Sequence, residues 1–179
     1  MDDAAINRYN ELAMDGAVYC NCTNDEGYSP LMLLCRNNTQ SDNLYRSIEV
    51  LLKRPDIDVN QTDKYGDNCL MKLCWNSSSQ RIAEIAELLI ANGGDVNQKD
   101  QYGDNALMLL CWNSTNDRMV QVAELLITKG TDVNHEDNYG RNAFYYLQMN
   151  SNIKNLNRQS RERLQLFFSN PQPSRCFIM

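Results

Sequence analysis

The tripeptide Asp-Val-Asn recurs every 37 residues along this chain, beginning at Asp58, Asp95 and Asp132. A Tyr-Gly pair recurs with the same 37-residue spacing, at Tyr65, Tyr102 and Tyr139. Between these markers, residues 63–98 and 100–135 are identical at more than half of their positions. A period of this size is typical of solenoid proteins, in which each unit buries its apolar face against the next. We therefore expect a stack of similar units.

Each repeat predicts a turn, a short helix, a polar loop and a longer helix. Gly66 provides the backbone freedom of a tight turn, and Asn68 can cap the helix that follows, as Ser29 can in the first repeat. Leu70 and Leu73 then recur at helical spacing, which places them on one face. The apolar stripe of the second helix comprises Ile82, Ile85, Ala86, Leu88 and Leu89. The Gly93-Gly94 pair is typical of a helix end.

This repeat pattern divides the chain into six segments. They are an N-terminal capping helix and turn (1–23, with the helix over 3–14), three repeats (24–61, 62–98 and 99–135), a C-terminal capping repeat (136–168) and a flexible tail (169–179). Terminal units of a solenoid show water a polar outer face. We therefore expect Leu156, Leu164, Phe167 and Phe168 to lie inside the last unit.

The repeat resembles the ankyrin family. Ser29-Pro30-Leu31-Met32 stands where that family has T-P-L-H, and Gly94-Asp95-Val96-Asn97 matches its closing G-A-D-V-N motif. The resemblance implies an all-α solenoid of stacked helix-turn-helix units joined by β-hairpin-type turns. Two features depart from the family pattern. The Thr-Pro pair is mostly lost, and the period exceeds the usual length of about 33 residues, with the extra residues falling in the loop between the helices.

Few residues in the chain are suited to catalysis. His135 is the one histidine and lies between acidic residues in a turn without a nucleophile pattern beside it, so we expect an exposed turn residue. Cys20 and Cys22 form a C-x-C pair, but zinc takes four ligands and no second pair has suitable spacing. Three repeats carry cysteine at one equivalent position, at Cys35, Cys74 and Cys111. This pattern indicates small core residues. We expect no enzyme activity, no cofactor, no metal and no small-molecule substrate.

Charge and composition argue against several further classes of protein. The net charge is -6, with 17 basic and 23 acidic residues, so the clustered positive charge that nucleic-acid binding needs is missing. The sequence begins with Met1-Asp2-Asp3 rather than a basic and apolar leader, and no apolar run reaches the roughly 20 residues that span a bilayer. Seven cysteines, an odd number, argue against a disulfide framework. We expect a cytoplasmic, monomeric protein.

The ankyrin resemblance implies protein binding by the residues around the turn glycine and after the first helix. Carried onto this sequence, these positions are Tyr28, Arg36, Lys64, Tyr65, Asp67, Trp75, Asn76, Gln101, Tyr102, Asp104, Trp112, Asn113, Asn138, Tyr139 and Arg141. Acidic residues dominate the turn tips, so we expect a partner with a basic contact surface. The alternative is structural: the tryptophans cover the loops between helices, and each tyrosine packs on the neighbouring turn.

The last four residues, Cys176-Phe177-Ile178-Met179, resemble a C-a-a-X prenylation box, in which a terminal Met favours farnesyl. The alternative is an unmodified, exposed cysteine. One short lipid holds a protein only reversibly at a bilayer, so we expect peripheral association with a cytoplasmic membrane face. Prenylation needs a eukaryotic cytosol, which makes the protein eukaryotic or a bacterial effector acting in a host cytosol. Two functions stay open: an adaptor directed to membranes, and an inhibitor or decoy that masks its partner.

Overall fold

The computed structural model describes residues 20–36, 42–76, 81–113 and 117–169, and in these ranges its regular secondary structure is helical, without strands. The α-helices are α1 (Pro30–Arg36), α2 (Asp42–Leu52), α3 (Cys69–Trp75), α4 (Ile82–Ala91), α5 (Ala106–Asn113), α6 (Met119–Thr128), α7 (Ala143–Met149) and α8 (Arg158–Ser169). A 3₁₀ helix, Ser151–Asn155, connects α7 to α8. The predicted alternation of short first helices and longer second helices is confirmed.

Polar side chains start the first helix of each repeat. The Asn68 side chain accepts the backbone N–H three residues later at 2.9 Å, and Asn105 and Asn142 do the same for α5 and α7 at 3.0 Å. In the first repeat the Ser29 hydroxyl accepts the equivalent N–H at 3.3 Å. Each cap satisfies a donor that the helix itself leaves unpaired. The capping roles predicted for Asn68 and Ser29 are therefore confirmed.

The second helices end in a common backbone motif. Gly93 follows α4 with a φ of +90°, and the next N–H, that of Gly94, donates to the Leu89 carbonyl at 3.0 Å. Helix α6 ends in the same way, since the N–H of Thr131 donates to the Leu126 carbonyl at 3.0 Å. This pattern is a Schellman motif, which favours glycine at the position with positive φ. The predicted helix end at Gly93-Gly94 is confirmed.

The helices form two layers. First helices α1, α3, α5 and α7 pack side by side in chain order, and second helices α2, α4, α6 and α8 form the other layer. Leu70 and Leu73 of α3 and Ile85 and Leu89 of α4 are at most 2% exposed between the layers. Burying each such side chain contributes about 1.5–3 kcal/mol. A single hairpin has no second layer to bury this stripe, so the stack supplies the core.

Backbone hydrogen bonds also join successive turns. The donors and acceptors are Lys64 N–H to the Glu26 carbonyl (3.3 Å), Gln101 N–H to the Tyr65 carbonyl (2.8 Å) and Asn138 N–H to the Tyr102 carbonyl (2.9 Å). Gly66 has a φ of +89°, and a Cβ there would lie 3.1 Å from the Asp100 Cα. Glycine is required for both the turn conformation and the close approach of the next turn.

Buried residues agree with most of the predicted core. Cys35, Cys74 and Cys111 are at most 1% exposed, which confirms their interpretation as small core residues. At the C-terminal end, Leu156 and Leu164 are 3% and 0% exposed. Two phenylalanines of α8 are partly buried against the same core, Phe167 and Phe168. The interior predicted for the last unit is confirmed.

One predicted surface residue is partly buried instead. The Nε2 atom of His135 lies 2.8 Å from the Gly103 carbonyl oxygen. Gln98, one repeat earlier, makes the equivalent bond to the Gly66 carbonyl at 3.2 Å. The expectation of an exposed histidine was therefore wrong, because this repeat position holds the carbonyl of the preceding turn.

Several predicted segments lie outside the described residues. They are the capping helix over 3–14, the tail after Ser169 with Cys176, and most of each loop between paired helices, at 37–41, 77–80 and 114–116. The loops are where the sequence places the extra residues of the long repeat. Within the described ranges, no helix is long and apolar enough to cross a bilayer.

Candidate functional site

The turns and first helices of neighbouring repeats line a groove of about 610 Å³. Ten of the fifteen residues predicted to bind protein lie in its walls. They are Tyr28, Arg36, Tyr65, Asp67, Trp75, Tyr102, Asp104, Trp112, Tyr139 and Arg141. The residue spacing of the repeat therefore brings most of the predicted positions to one surface. Whether they contact a partner stays a prediction.

The other five predicted residues lie beside the groove and tie repeats together. Asn76 donates a side-chain hydrogen bond to the Arg36 carbonyl, and Asn113 donates one to the Trp75 carbonyl. Asn138 donates to the carbonyl of Gln101 at 3.1 Å, and Lys64 forms an ion pair with Glu26. Four of these side chains therefore have intramolecular partners, whereas Gln101 takes part through its backbone carbonyl.

Five lining residues were missed by the sequence reasoning: Lys72, Asp100, Met108, Leu109 and Tyr146. Lys72, Leu109 and Tyr146 occupy one position in successive repeats, inside the first helix. The sequence does contain a signal that this position is unusual, because it holds a lysine in one repeat and a tyrosine in another, where a third repeat has leucine. A lysine among the apolar residues of a helix needs a buried acidic partner.

Aromatic side chains dominate the exposed surface of the groove. Five of the eight large hydrophobic side chains that are exposed in the described residues lie here. Their exposed fractions are 38% for Tyr65, 45% for Trp75, 49% for Tyr102, 43% for Trp112 and 68% for Tyr139. Trp112 also packs edge-on against Tyr146, at 5.5 Å between ring centroids. The groove thus presents a row of half-covered aromatic faces.

In the second repeat, two turn carboxylates hold a lysine. The Lys72 Nζ lies 2.5 Å from Asp63 Oδ2 and also contacts Asp67. It sits 4.9 Å from the ring centroid of Tyr28 and 5.8 Å from that of Tyr65. Burial alone would lower the pKa of Lys72, but the bonds to both carboxylates outweigh burial and raise the pKa. This cation is therefore held internally.

The last repeat holds an arginine in a related way. Arg141 Nε donates to Asp137 Oδ2 at 2.7 Å, and the Tyr146 hydroxyl donates to the same oxygen at 2.7 Å. The guanidinium lies 4.6 Å from the ring centroid of Tyr139. Burial raises the pKa of Asp137, but these hydrogen bonds and those from the backbone of Arg141 and Tyr139 lower the pKa overall. Asp137 therefore stays ionised.

The third repeat has the carboxylates without the cation. Asp100 accepts the backbone N–H groups of Tyr102 and Asp104 at 2.8 and 2.9 Å. Burial raises the pKa of Asp100 to about 6. Burial also raises the pKa of Asp104, although the Tyr146 hydroxyl and Arg141 act in the opposite direction.

The acidic residues of the turns differ in their exposure and in their ion pairs. Asp63 and Asp137 are each 6% exposed, and each is paired with a cation of its own repeat. The first aspartate of a turn folds back because its carboxylate accepts the backbone N–H groups of that turn. Among the acidic residues that line the groove, Asp67 pairs with Lys72, whereas Asp100 and Asp104 form no ion pair in the described part of the chain.

The described residues show no cluster that could hold a metal ion, and two of their buried cysteines are unreactive. They contain no group of three or more His, Cys, Asp or Glu side chains placed to hold a metal. Burial raises the pKa of Cys74 to about 12 and also raises the pKa of Cys111. Such thiols stay protonated and unreactive.

Comparison with known proteins gives one finding for the repeat. A family model of ankyrin repeats, in three copies, matches residues 4–100 and 76–157. No curated protein sequence matches the chain. The two matched ranges contain every turn and helix that lines the groove.

Proposed function

Because the chain belongs to the ankyrin-repeat family, whose members are generally modules of protein–protein interaction and typically not enzymes, we propose that its groove binds a partner protein. The partner lies along the turns and first helices, across the row of repeats from Tyr28 to Tyr139. Its contact surface is basic, because the unpaired negative charge of the groove lies at Asp100 and Asp104.

The single observation that carries this proposal is the row of half-exposed aromatic side chains. Tyrosine and tryptophan contribute disproportionately to binding when a partner covers them, often by about 2 kcal/mol or more at a hot spot. Trp75, Tyr102 and Trp112 each leave 43–49% of their surface to solvent. A stable monomer gains nothing from this exposure, whereas a bound protein would cover these faces and exclude water.

The proposal is tested by affinity purification from the native cell, using Trp112→Ala against the unchanged chain. Loss of about 2 kcal/mol predicts roughly thirtyfold weaker retention of a specific partner. The matched control is Leu166→Ala, which removes a 61% exposed side chain of α8 outside the groove. Circular dichroism monitors folding. Equal partner retention by the two folded variants contradicts the proposal, and so does global unfolding of Trp112→Ala, which favours the structural alternative.

Adaptor and inhibitor forms of this function differ in what happens to the partner. An adaptor leaves the activity of its bound partner intact, whereas an inhibitor or decoy covers a working surface and abolishes that activity. Assaying the purified partner at saturating concentrations of this chain separates the two. An effector acting in a host cytosol is compatible with either form.

We also propose that Cys176 carries an isoprenoid when Met179 is the C-terminal residue in the cell. The motif Cys176-Phe177-Ile178-Met179 supports this modification. One such lipid gives marginal and reversible membrane binding, so the protein would sample a cytoplasmic membrane face. Mass spectrometry of protein made in eukaryotic cells tests the modification. An unmodified Cys176 thiol on the intact chain contradicts it, and Cys176→Ser serves as the control.

A further inference from the structure

Three successive repeats place different residues around the same pair of turn positions. In the second repeat, Asp63 and Asp67 hold Lys72. In the last repeat, the second acid is replaced by a cation, since Arg141 pairs with Asp137. Each of these two repeats therefore neutralises its turn carboxylates with a cation of its own. A positively charged group is evidently accommodated at this place in the fold.

The third repeat lacks such a cation among the described residues. Leu109 occupies the position of Lys72, and Asp104 occupies the position of Arg141. No ion pair involving Asp100 or Asp104 occurs in the described part of the chain. The turn tyrosine of the third repeat also lacks a cation. Tyr65 and Tyr139 each have a cation over the ring, but no described cation lies over Tyr102, which is 49% exposed.

An unpartnered buried atom marks the same place. Asp104 lines the groove and is only 8% exposed, and its buried Oδ1 has no hydrogen-bond partner. Leaving a buried carboxylate oxygen unpaired costs about 1–3 kcal/mol or more. The equivalent Oδ1 of Asp67 is also unpaired, but the other carboxylate oxygen of Asp67 pairs with Lys72. Arg141 acts on Asp104 through its charge and forms no ion pair with it in the described residues. The third repeat therefore differs from its neighbours in having a largely buried acidic pair that no ion pair neutralises.

We propose that Asp100, Asp104 and Tyr102 form a subsite for one arginine or lysine side chain of the partner protein. The incoming cation pairs with the carboxylates and lies over the Tyr102 ring, as Lys72 and Arg141 do in their own repeats. This assignment rests on the proposed function and adds the specific side chain that the groove recognises. Two features favour a cation held on a protein: the open groove continues on both sides of the subsite, and aromatic faces of Trp75 and Trp112 line that continuation.

The subsite is tested with N-acetyl-L-arginine amide and N-acetyl-L-lysine amide, whose blocked ends mimic a residue within a protein. The chain has two tryptophans, and both line the groove, so the two indole N–H signals in NMR spectra report directly on binding. We expect saturable shifts of these signals with at least one of the two cations. N-acetyl-L-citrulline amide, a neutral mimic of arginine, should shift them at least about tenfold more weakly.

Two variants of the full chain locate the binding. Asp100→Asn combined with Asp104→Asn should abolish the charge-dependent shifts, whereas Glu87→Gln, which removes one charge from an exposed position on α4, should keep them. Leu109→Lys supplies an internal cation like Lys72 and should also abolish binding. This second variant decides the question if the double substitution fails to fold.

The proposal is overturned if citrulline and both cations shift the signals equally, or if Leu109→Lys binds like the unchanged chain. Tighter binding of free L-arginine than of its blocked form is also a negative result, because it would indicate a small-molecule ligand. These failures are separable from failure of the proposed function. If Trp112→Ala still weakens partner capture while no cation binds at the subsite, the groove binds protein by other contacts.

Discussion

The aspartate that opens each turn has the same backbone role in successive repeats but different surroundings. Asp63 accepts two N–H groups of its turn and faces Lys72. Asp100 accepts the equivalent two N–H groups and faces Asp104 instead. In the first repeat the role is filled by Asn24, whose side-chain oxygen accepts the same pair of bonds at 3.0 and 2.9 Å. A neutral amide therefore satisfies this turn.

One substitution at two equivalent positions should have opposite effects on stability. Asp100→Asn removes a partly buried charge without a cationic partner and should raise the free energy of unfolding at pH 7 by about 1–2 kcal/mol, after allowance for residual solvent screening. Asp63→Asn leaves the buried ammonium of Lys72 with one carboxylate fewer. This substitution should lower the free energy of unfolding by about 1–3 kcal/mol. Urea denaturation of the two variants measures both. Changes of the same sign would contradict the assigned surroundings.

The effect of Asp100→Asn should also depend on pH. Burial raises the pKa of Asp100 from 3.8 to about 6 in the folded chain. Between these values the folded state binds more protons than the unfolded state, so this residue's contribution to stability is lost as pH rises from about 4 to 6. The gain from Asp100→Asn should therefore be small near pH 4 and reach its full size above pH 6. A gain that is constant from pH 4 to 8 would contradict the raised pKa.

At the scale of the repeat element, two glycines with similar dihedral angles have different surroundings. Gly93 ends α4 with φ +90°, and a Cβ there would meet no atom within 4 Å. Gly66 has φ +89°, but its Cβ would lie 3.1 Å from the backbone of the next turn. The helix end thus needs glycine for conformation alone, whereas the turn needs it for conformation and for contact between repeats.

Alanine substitutions should separate these two requirements. Gly93→Ala should lower the free energy of unfolding by about 1 kcal/mol, the cost of a left-handed conformation for a residue with a Cβ. Gly66→Ala should cost about 2–4 kcal/mol, because the displaced turn also loses its hydrogen bond to the next repeat. Chemical denaturation of both variants gives the comparison. Equal losses would show that the turn can move away from its neighbour at little cost.

The period and the apolar spacing predicted the helices, their caps at Asn68 and Ser29, and the core cysteines, because those features depend on contacts within one repeat or on exact repetition. The pairing of Lys72 with Asp63 and the partly buried state of His135 were not predictable in this way. Both depend on how a turn folds back on a helix or on the neighbouring unit, which spacing along the chain does not reveal. Most of the residues that line the groove were among the predicted positions. The distribution of charge in the groove could be seen only in the packed structure.

At the scale of the whole molecule, each unit contacts only its neighbours. Within the layer of second helices, α4 packs between α2 and α6, whereas α8 at the C-terminal end packs against α6. Phe168 of α8 also contacts Phe144 of α7, with 5.7 Å between ring centroids. In such a stack, stability is approximately a sum of repeat terms and interface terms. A defect in a central unit breaks two interfaces, while a defect in the last described unit leaves the remaining interfaces intact.

The difference between a central and a terminal defect can be tested at Leu89 in α4 and Leu164 in α8. Both leucines are 0% exposed. Replacing either by alanine should cost about 2–5 kcal/mol locally. In hydrogen exchange, Leu89→Ala should reduce protection in α4 and in both flanking second helices, α2 and α6, because the central unit links them. Leu164→Ala should reduce protection in α8 and leave α4 unchanged, since the end of the stack can open alone. A uniform loss of protection in both variants would show that the described stack unfolds as one cooperative unit, with no independently opening end.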